Sequence, residues 1–249
     1  MTTLKTNAIE PEGATTNLTV GMTGQNVVVG GSGGLKSNVF KDAGGNAVFT
    51  SNGSGVLSGV NSAFGGDQVL LQTTTISSTT ASISFTSGLT STYKEYVFDF
   101  INMTLSDAGQ NFFVNFSTDG GSNYNATKTT TSFWVNHDED DSQGTRGAGP
   151  EYKTGFDKAQ STGDQLLSWG VSDDADSSLC GELHLFNPSS TTYIKHFYAT
   201  TTCMAVSDIG TSTNYTAGYL NTTSAVNAIT FLFDAGDIES GTIKMYGIK

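Results

Sequence analysis

Proline, cysteine and basic residues are scarce in this chain, and each shortage removes a class of protein. Three prolines (Pro11, Pro150, Pro188) are too few for a polyproline linker or stalk. Two cysteines, Cys180 and Cys203, allow one disulfide at most and do not fall in C-x-x-C spacing, so two buried thiols on strands are expected. Lys and Arg number 11 against 23 Asp and Glu, a net charge of −12, with no basic run. Phosphate backbones and anionic lipids need a positive surface, so neither nucleic acid nor a membrane is an expected partner. No apolar run approaches the ~18 residues that span a bilayer. The start "MTTLKTNAIEPEG" lacks the apolar centre of a secretory signal, and the expectation is a soluble chain made in a cytoplasm. No G-x-S-x-G, H-E-x-x-H or P-loop occurs either.

What fills the chain is Gly, Ser, Thr and Asn, with charged residues at 14%. These residues cost helix stability but suit tight turns and hydroxyl-bearing strand faces. Composition divides the chain near Asp67. Residues 1–66 hold 14 of the 30 glycines and no Trp or Tyr. There "NLTVG" (17–21), "NVVVG" (26–30), "NVFKDAGG" (38–45), "NAVFTSNG" (46–53) and "SGVLSGV" (54–60) form an imperfect repeat of short strands and turns. A few valines per unit do not offset ~1–2 kcal/mol of backbone ordering for every residue. The alternation therefore predicts an intertwined, three-chain β-structured stem, against the alternative of a flexible Gly-rich tether.

From residue 67 the pattern is strictly strand-like. Period-two segments run at 68–73, 81–87, 95–102, 111–118, 131–136, 165–170, 179–186, 192–201, 214–221, 226–233 and 241–248. Tyr96, Phe98 and Phe100 share one face, as do Phe112, Val114 and Phe116, and Ile229, Phe231 and Phe233. "TDGGSNY" (118–124) reads as a hairpin turn with Gly at positive φ, and "NPSS" (187–190) as a second reversal. The fold class expected is all-β: an antiparallel, jelly-roll-like β-sandwich over 67–249 behind the 1–66 stem.

Candidate chemistry concentrates in the long polar segment 137–164, where binding function on a rigid sandwich tends to reside. Its acidic start, His137, Asp138, Glu139, Asp140 and Asp141, offers oxygens to Ca²⁺ but lacks the D-x-D-x-D-G register, so a solvated surface run is the competing reading. The expected receptor-contact residues are Asp138, Glu139, Arg146, Tyr152 and Lys153, on a loop dispensable for the fold. A second acidic group, Asp173, Asp174 and Asp176, reads as a turn. His184 and His196 read as packed or rim residues, Asp99 and Glu182 as lone strand carboxylates, and Trp134 and Trp169 as core, or else as a sugar-stacking surface. A glycosidase needs two carboxylates facing one cleft, and the sequence does not place such a pair. The chain reads as a non-enzyme without a cofactor.

"STDGGSNYNATKTTT", "LHLFNPSSTTYIKHF" and the ending "AGYLNTTSAVNAITFLFDAGDIESGTIKMYGIK" resemble structural proteins of tailed, particularly marine, bacteriophages. The resemblance implies a virion protein, a trimeric tail-fibre or receptor-binding protein attached by its N-terminus and touching the host receptor or glycan with its C-terminal domain. A capsid decoration or head-fibre protein has the same outline, and a surface-polysaccharide depolymerase is the third possibility. The resemblance carries over no catalytic residue.

Overall fold

Alternation of large apolar and small polar residues becomes paired strand throughout the computed structural model, which describes residues 39–42, 44–51, 57–58, 66–141, 150–206 and 210–249. The chain divides into two compact units, Met1–Phe64 and Gly65–Lys249. In the first, β1 (Val39–Lys41), β2 (Ala47–Ser51) and β3 (Leu57–Ser58) form a small antiparallel sheet. The β1–β2 turn closes where Asp42 accepts the Asn46 N–H at 2.8 Å, and Phe40 packs on Phe49 with ring centroids 4.4 Å apart. The expected repeats at 17–21 and 26–30 lie outside the described residues.

The second unit is all-β and sandwich-like. Eight of its strands form a nested set: β4 (Gln68–Ile76) pairs with β15 (Ile238–Ile248), β5 (Ser82–Phe85) with β14 (Ala228–Phe233), β6 (Glu95–Leu105) with β11 (Leu179–Phe186), and β7 (Gln110–Ser117) with β10 (Gln165–Val171). Successive pairs go to opposite sheets. β15 also joins β6, and β14 joins β7, giving the sheet orders β4-β15-β6-β11 and β10-β7-β14-β5. A long antiparallel ribbon rolled in this way is a jelly roll. The two intervening stretches add β12 (Lys195–Met204), β13 (Gly210–Leu220), β8 (Lys128–Asp138) and β9 (Glu151–Tyr152), in that order, to the larger sheet beyond β11.

Phe231 is the hub of the core. It is fully buried, with ring centroids 5.0 Å from Phe100, 5.5 Å from Phe98, 6.1 Å from Phe112 and 6.2 Å from Phe85. The edge-on Phe100 and Phe85 contacts set partial positive ring edges against a negative face. A bulge at Asn102 (φ 49°) breaks the alternation of β6, so Met103 and Leu105 turn inward after Phe98 and Phe100. That bulge is why the strand runs past residue 102, where simple alternation ends. The closing strand β15 lies between β4 and β6, with Ile243 and Met245 buried.

Two details differ from the sequence reading. Gly120 and Gly121 do take positive φ (74° and 88°), and Asp119 is held well below its ordinary pKa, at about 2, by hydrogen bonds from Ser117 and Asn123. The turn is not a hairpin, however: β7 and β8 belong to different sheets, and the segment crosses between them. A turn signal marks a reversal but carries no information about the partner. The 137–164 stretch is also more than a loop. β8 continues to Asp138, β9 pairs with it, and Lys158 O and Ser161 O accept the backbone N–H groups of Thr130 and Lys128. Its described part lines one edge of the larger sheet, along β8.

Beneath the added strands the interior is polar. Lys128 is fully buried, its Nζ donating to Asn115 Oδ1 and Gly163 O, each at 2.8 Å. Ser132 and Thr216 hydroxyls meet at 2.8 Å, and Thr216 Oγ1 donates to Leu166 O at 3.1 Å. Such groups are tolerable inside because they are paired. Burial pushes the Lys128 ammonium down to about 8, against partial compensation by Asp164.

Phe231→Ala is expected to cost about 3–5 kcal/mol in denaturant unfolding; a loss under 1 kcal/mol would deny it the central place. For Lys128, both states hold the proton below pH 8. Between about 8 and the ordinary 10.5 the folded protein gives it up first, so stability rises with pH across that window. The wild type minus Lys128→Met difference should change by on the order of 3 kcal/mol over those pH values. A flat difference would contradict the buried charge.

Candidate functional site: the outer face of the large sheet

Because Phe98 and Phe100 point inward, their neighbours on β6 must point outward, and strand pairing carries that face across the sheet. One register row reads Lys244 (β15), Asp99 (β6), Glu182 (β11), Thr200 (β12), Tyr215 (β13), Phe133 (β8) and Tyr152 (β9). It is acidic at one end and aromatic at the other. The next row holds Val97, His184, Tyr198, Ala217 and Thr131. Phe133, Tyr152, Tyr198 and Tyr215 are among the large apolar side chains most open to solvent, Tyr152 at 59% and Phe133 at 43%.

Asp99 and Glu182 are therefore not lone carboxylates. They face each other across adjacent strands, where Cβ atoms sit about 4.5–5.5 Å apart. Partial burial, and then the Glu182 charge, raise the Asp99 carboxyl above its ordinary value, while Lys244 and His184 oppose the shift. His184 is a partnered residue of this face. Its Nδ1 lies 2.6 Å from Glu95 Oε1, and its ring stacks on Tyr198 at 4.5 Å and 11°. Its Nε2 is buried 3.4 Å from Glu182 Oε1, outside hydrogen-bonding geometry. Burial, with Glu182 and Glu95 nearby, raises the Tyr198 phenol. His196 lies edge-on to Tyr219 on the same side.

Phe133 and Tyr215 stack across β8 and β13 at 4.8 Å and 12°. Between this pair and Tyr198, over the small Ala217, lies a depression of about 180 Å³. Thr200 lines it and also lines a larger one of about 450 Å³ that includes Asp99, Glu182 and Cys180. Cys180 and Thr202 then connect to a third, of about 330 Å³, edged by Glu139 and Ser178. Gly181 also lines the middle depression, and a Cβ there would come within 2.3 Å of Thr200 O, so only glycine fits the close approach of β11 to β12. Cys180 faces this side, whereas Cys203 on β12 is buried beneath it; the two do not form a disulfide.

The loop residues expected at the site separate. Tyr152 ends the aromatic row and hydrogen-bonds Asp157. Glu139 lines the third depression. Asp138 is 8% exposed at the end of β8, where the strand turns it inward. Lys153 pairs with Glu151 at 2.5 Å and lies 5.3 Å over the Trp134 ring. Arg146 lies outside the described residues. Of the Ca²⁺ candidates, His137 Nε2 lies 3.4 Å from Asp141 Oδ1, and no cluster of three or more His, Cys, Asp or Glu suited to a metal occurs among the described residues. Trp134 is buried edge-on against Trp169 at 4.5 Å and donates to Glu151 at 3.1 Å, so neither indole belongs to the outer face.

Sequence reading missed Asp99, Glu182, His184, Thr200, Tyr198, Tyr215 and Phe133 as a group. The outward alternation of β11 to β13 was visible; the pairing of β8 with β13 was not. Comparison with protein families, with curated proteins and with solved structures finds no match to the chain.

Gly181→Ala should push β11 from β12 and lower stability by roughly 1–3 kcal/mol. Thermal or denaturant unfolding checks this; an unchanged midpoint would mean that the two strands can part at no cost.

Proposed function

We propose that the chain is a non-enzymatic structural protein of a tailed-phage virion. It forms a homotrimer, attaches to other virion proteins through its N-terminal unit, and contacts the host cell surface with its jelly-roll head. The observation that supports this reading most is the outer face of the larger sheet, which leaves four large aromatic side chains in solvent beside paired carboxylates. A sheet face with no contact role is usually covered with small polar or charged residues, and exposed aromatic patches mark interaction sites. The polar layer beneath holds the strands in register while the face stays open. Net charge of −12 suits a particle surface that must remain soluble and avoid nucleic acid.

Labelled full-length protein is expected to decorate the envelope of the bacterium that the particle infects, and immunogold is expected to place the chain on the tail. Light scattering should return three times the 26.1 kDa chain mass. Label on the capsid shell would replace the tail-fibre assignment with capsid decoration. Absence of cell binding by the trimer would overturn receptor contact, and steady release of sugar from host glycan would overturn the non-enzymatic part.

A further inference from the structure

The outer face has a direction as well as a composition. The three depressions follow β12 from Tyr198 to Met204 and β13 from Ala217 back to Thr211, each sharing a residue with the next. Six residues of strand correspond to about 20 Å, the length of several linked sugar units. Its base is built of hydroxyls: Thr202 Oγ1 lies 3.4 Å from both Thr211 Oγ1 and Thr213 Oγ1, and Thr200 continues the line. Rings wall one end and carboxylates the middle. The gap at the aromatic end exists because Ala217, exposed between Tyr198 and Thr131, has no side chain to fill it.

We infer that this groove binds a linear saccharide of neutral or amine-bearing units, one ring resting between Tyr198 and the Phe133–Tyr215 pair and the following units running over Thr200 and Thr202 past Glu182. The inference rests on the receptor-contact reading and names the ligand class. A pyranose has an apolar C–H face that suits aromatic rings, and a rim of hydroxyls that suits acceptors and donors spaced along a strand. Thr hydroxyls both donate and accept; Glu182 and Asp99 accept only, from sugar hydroxyls or an ammonium. Charge decides against acidic glycans. Asp99, Glu182, Glu95 and Glu139 all face this side, with Lys244 the nearby cation on the register row. Uronates, sialic acids and sulfated sugars would meet repulsion at close range. A polypeptide fits less well. In the middle of the sheet every strand is already paired on both sides, so no edge is free to accept an added strand, and a threonine base would leave an apolar partner surface unmatched.

The test uses the full-length protein on an array of purified oligosaccharides: neutral gluco-, manno- and galacto-oligomers, chitosan oligomers, and uronate, sialylated and sulfated chains, with oligolysine as the polypeptide probe. Binding to neutral or chitosan oligomers, and not to the acidic set, is expected. Ala217→Trp should fill the gap and weaken that binding at least tenfold while leaving the unfolding midpoint within a degree or two. Phe133→Ala should weaken it by a similar factor. Glu182→Gln should weaken chitosan binding more than neutral binding. Preference for acidic sugars, preference for oligolysine, an array with no bound sugar, or an Ala217→Trp variant that binds as wild type would each overturn the inference. The outcomes separate from those of the wider reading. Cell binding that survives Ala217→Trp removes the groove and keeps receptor contact. Saccharide binding by a protein that ignores host cells does the reverse.

Discussion

Burial of the β6 rings against Phe231 is the contact on which the rest of the Gly65–Lys249 unit depends. Phe98 and Phe100 fill the space between the sheets, and their inward placement fixes the register of β6 against β11 and β15. A slip of one residue would bring Asp99 into the aromatic core and turn Phe100 into solvent. The acidic end of the outer face is thus a consequence of the core. Asp99 faces Glu182 because Phe98 faces Leu183.

The added strands have a different interior. Where the roll is packed with phenylalanine, β8, β12 and β13 rest on β10 and β7 through hydroxyls and amides, with the buried Lys128 ammonium among them. Hydrogen bonds of this kind add modest net stability but fix geometry, because each misplaced group would be left unsatisfied. The consequence is a stiff extension whose outer surface is free to carry aromatic residues that the core does not require. The segment after β9 contributes by supplying Gly163 O to Lys128 and the Asp157 carboxylate to the Ser132 N–H at 2.9 Å. A stretch that reads as a recognition loop thereby becomes part of the support for the outer face of the larger sheet.

Strand positions were legible because period-two alternation with phenylalanine and tyrosine is a strong local signal, and each of the eleven segments expected beyond residue 67 overlaps a strand. The all-β, jelly-roll-like class followed from their number and spacing. Partner choice was not legible. Glu182 and Asp99 are 83 positions apart, and nothing local in either segment says that they meet. Phe133 and Tyr215 became neighbours only because β8 leaves β7, the strand before it, and pairs with β13. The bulge at Asn102 shows itself only in the pairing of β6, whose registers with β11 and β15 shift there. The acidic run at 137–141 shows its charge in the sequence but not the direction in which its side chains point, and Asp138 is turned inward.

Side-chain protection of tyrosine tests the central claim most directly, namely that the outer face of the large sheet is the contact surface. Tyr198 and Tyr215 lie on that face, whereas Tyr193, at 68% exposure, lies in the connection between β11 and β12 and serves as an internal reference. Tyrosine nitration of the protein, free and bound to host envelopes, should be followed residue by residue by mass spectrometry. The account predicts that binding protects Tyr198 and Tyr215 severalfold and leaves Tyr193 unchanged. Equal reactivity of Tyr198 and Tyr215 in the two states, with the protein demonstrably bound, would contradict it.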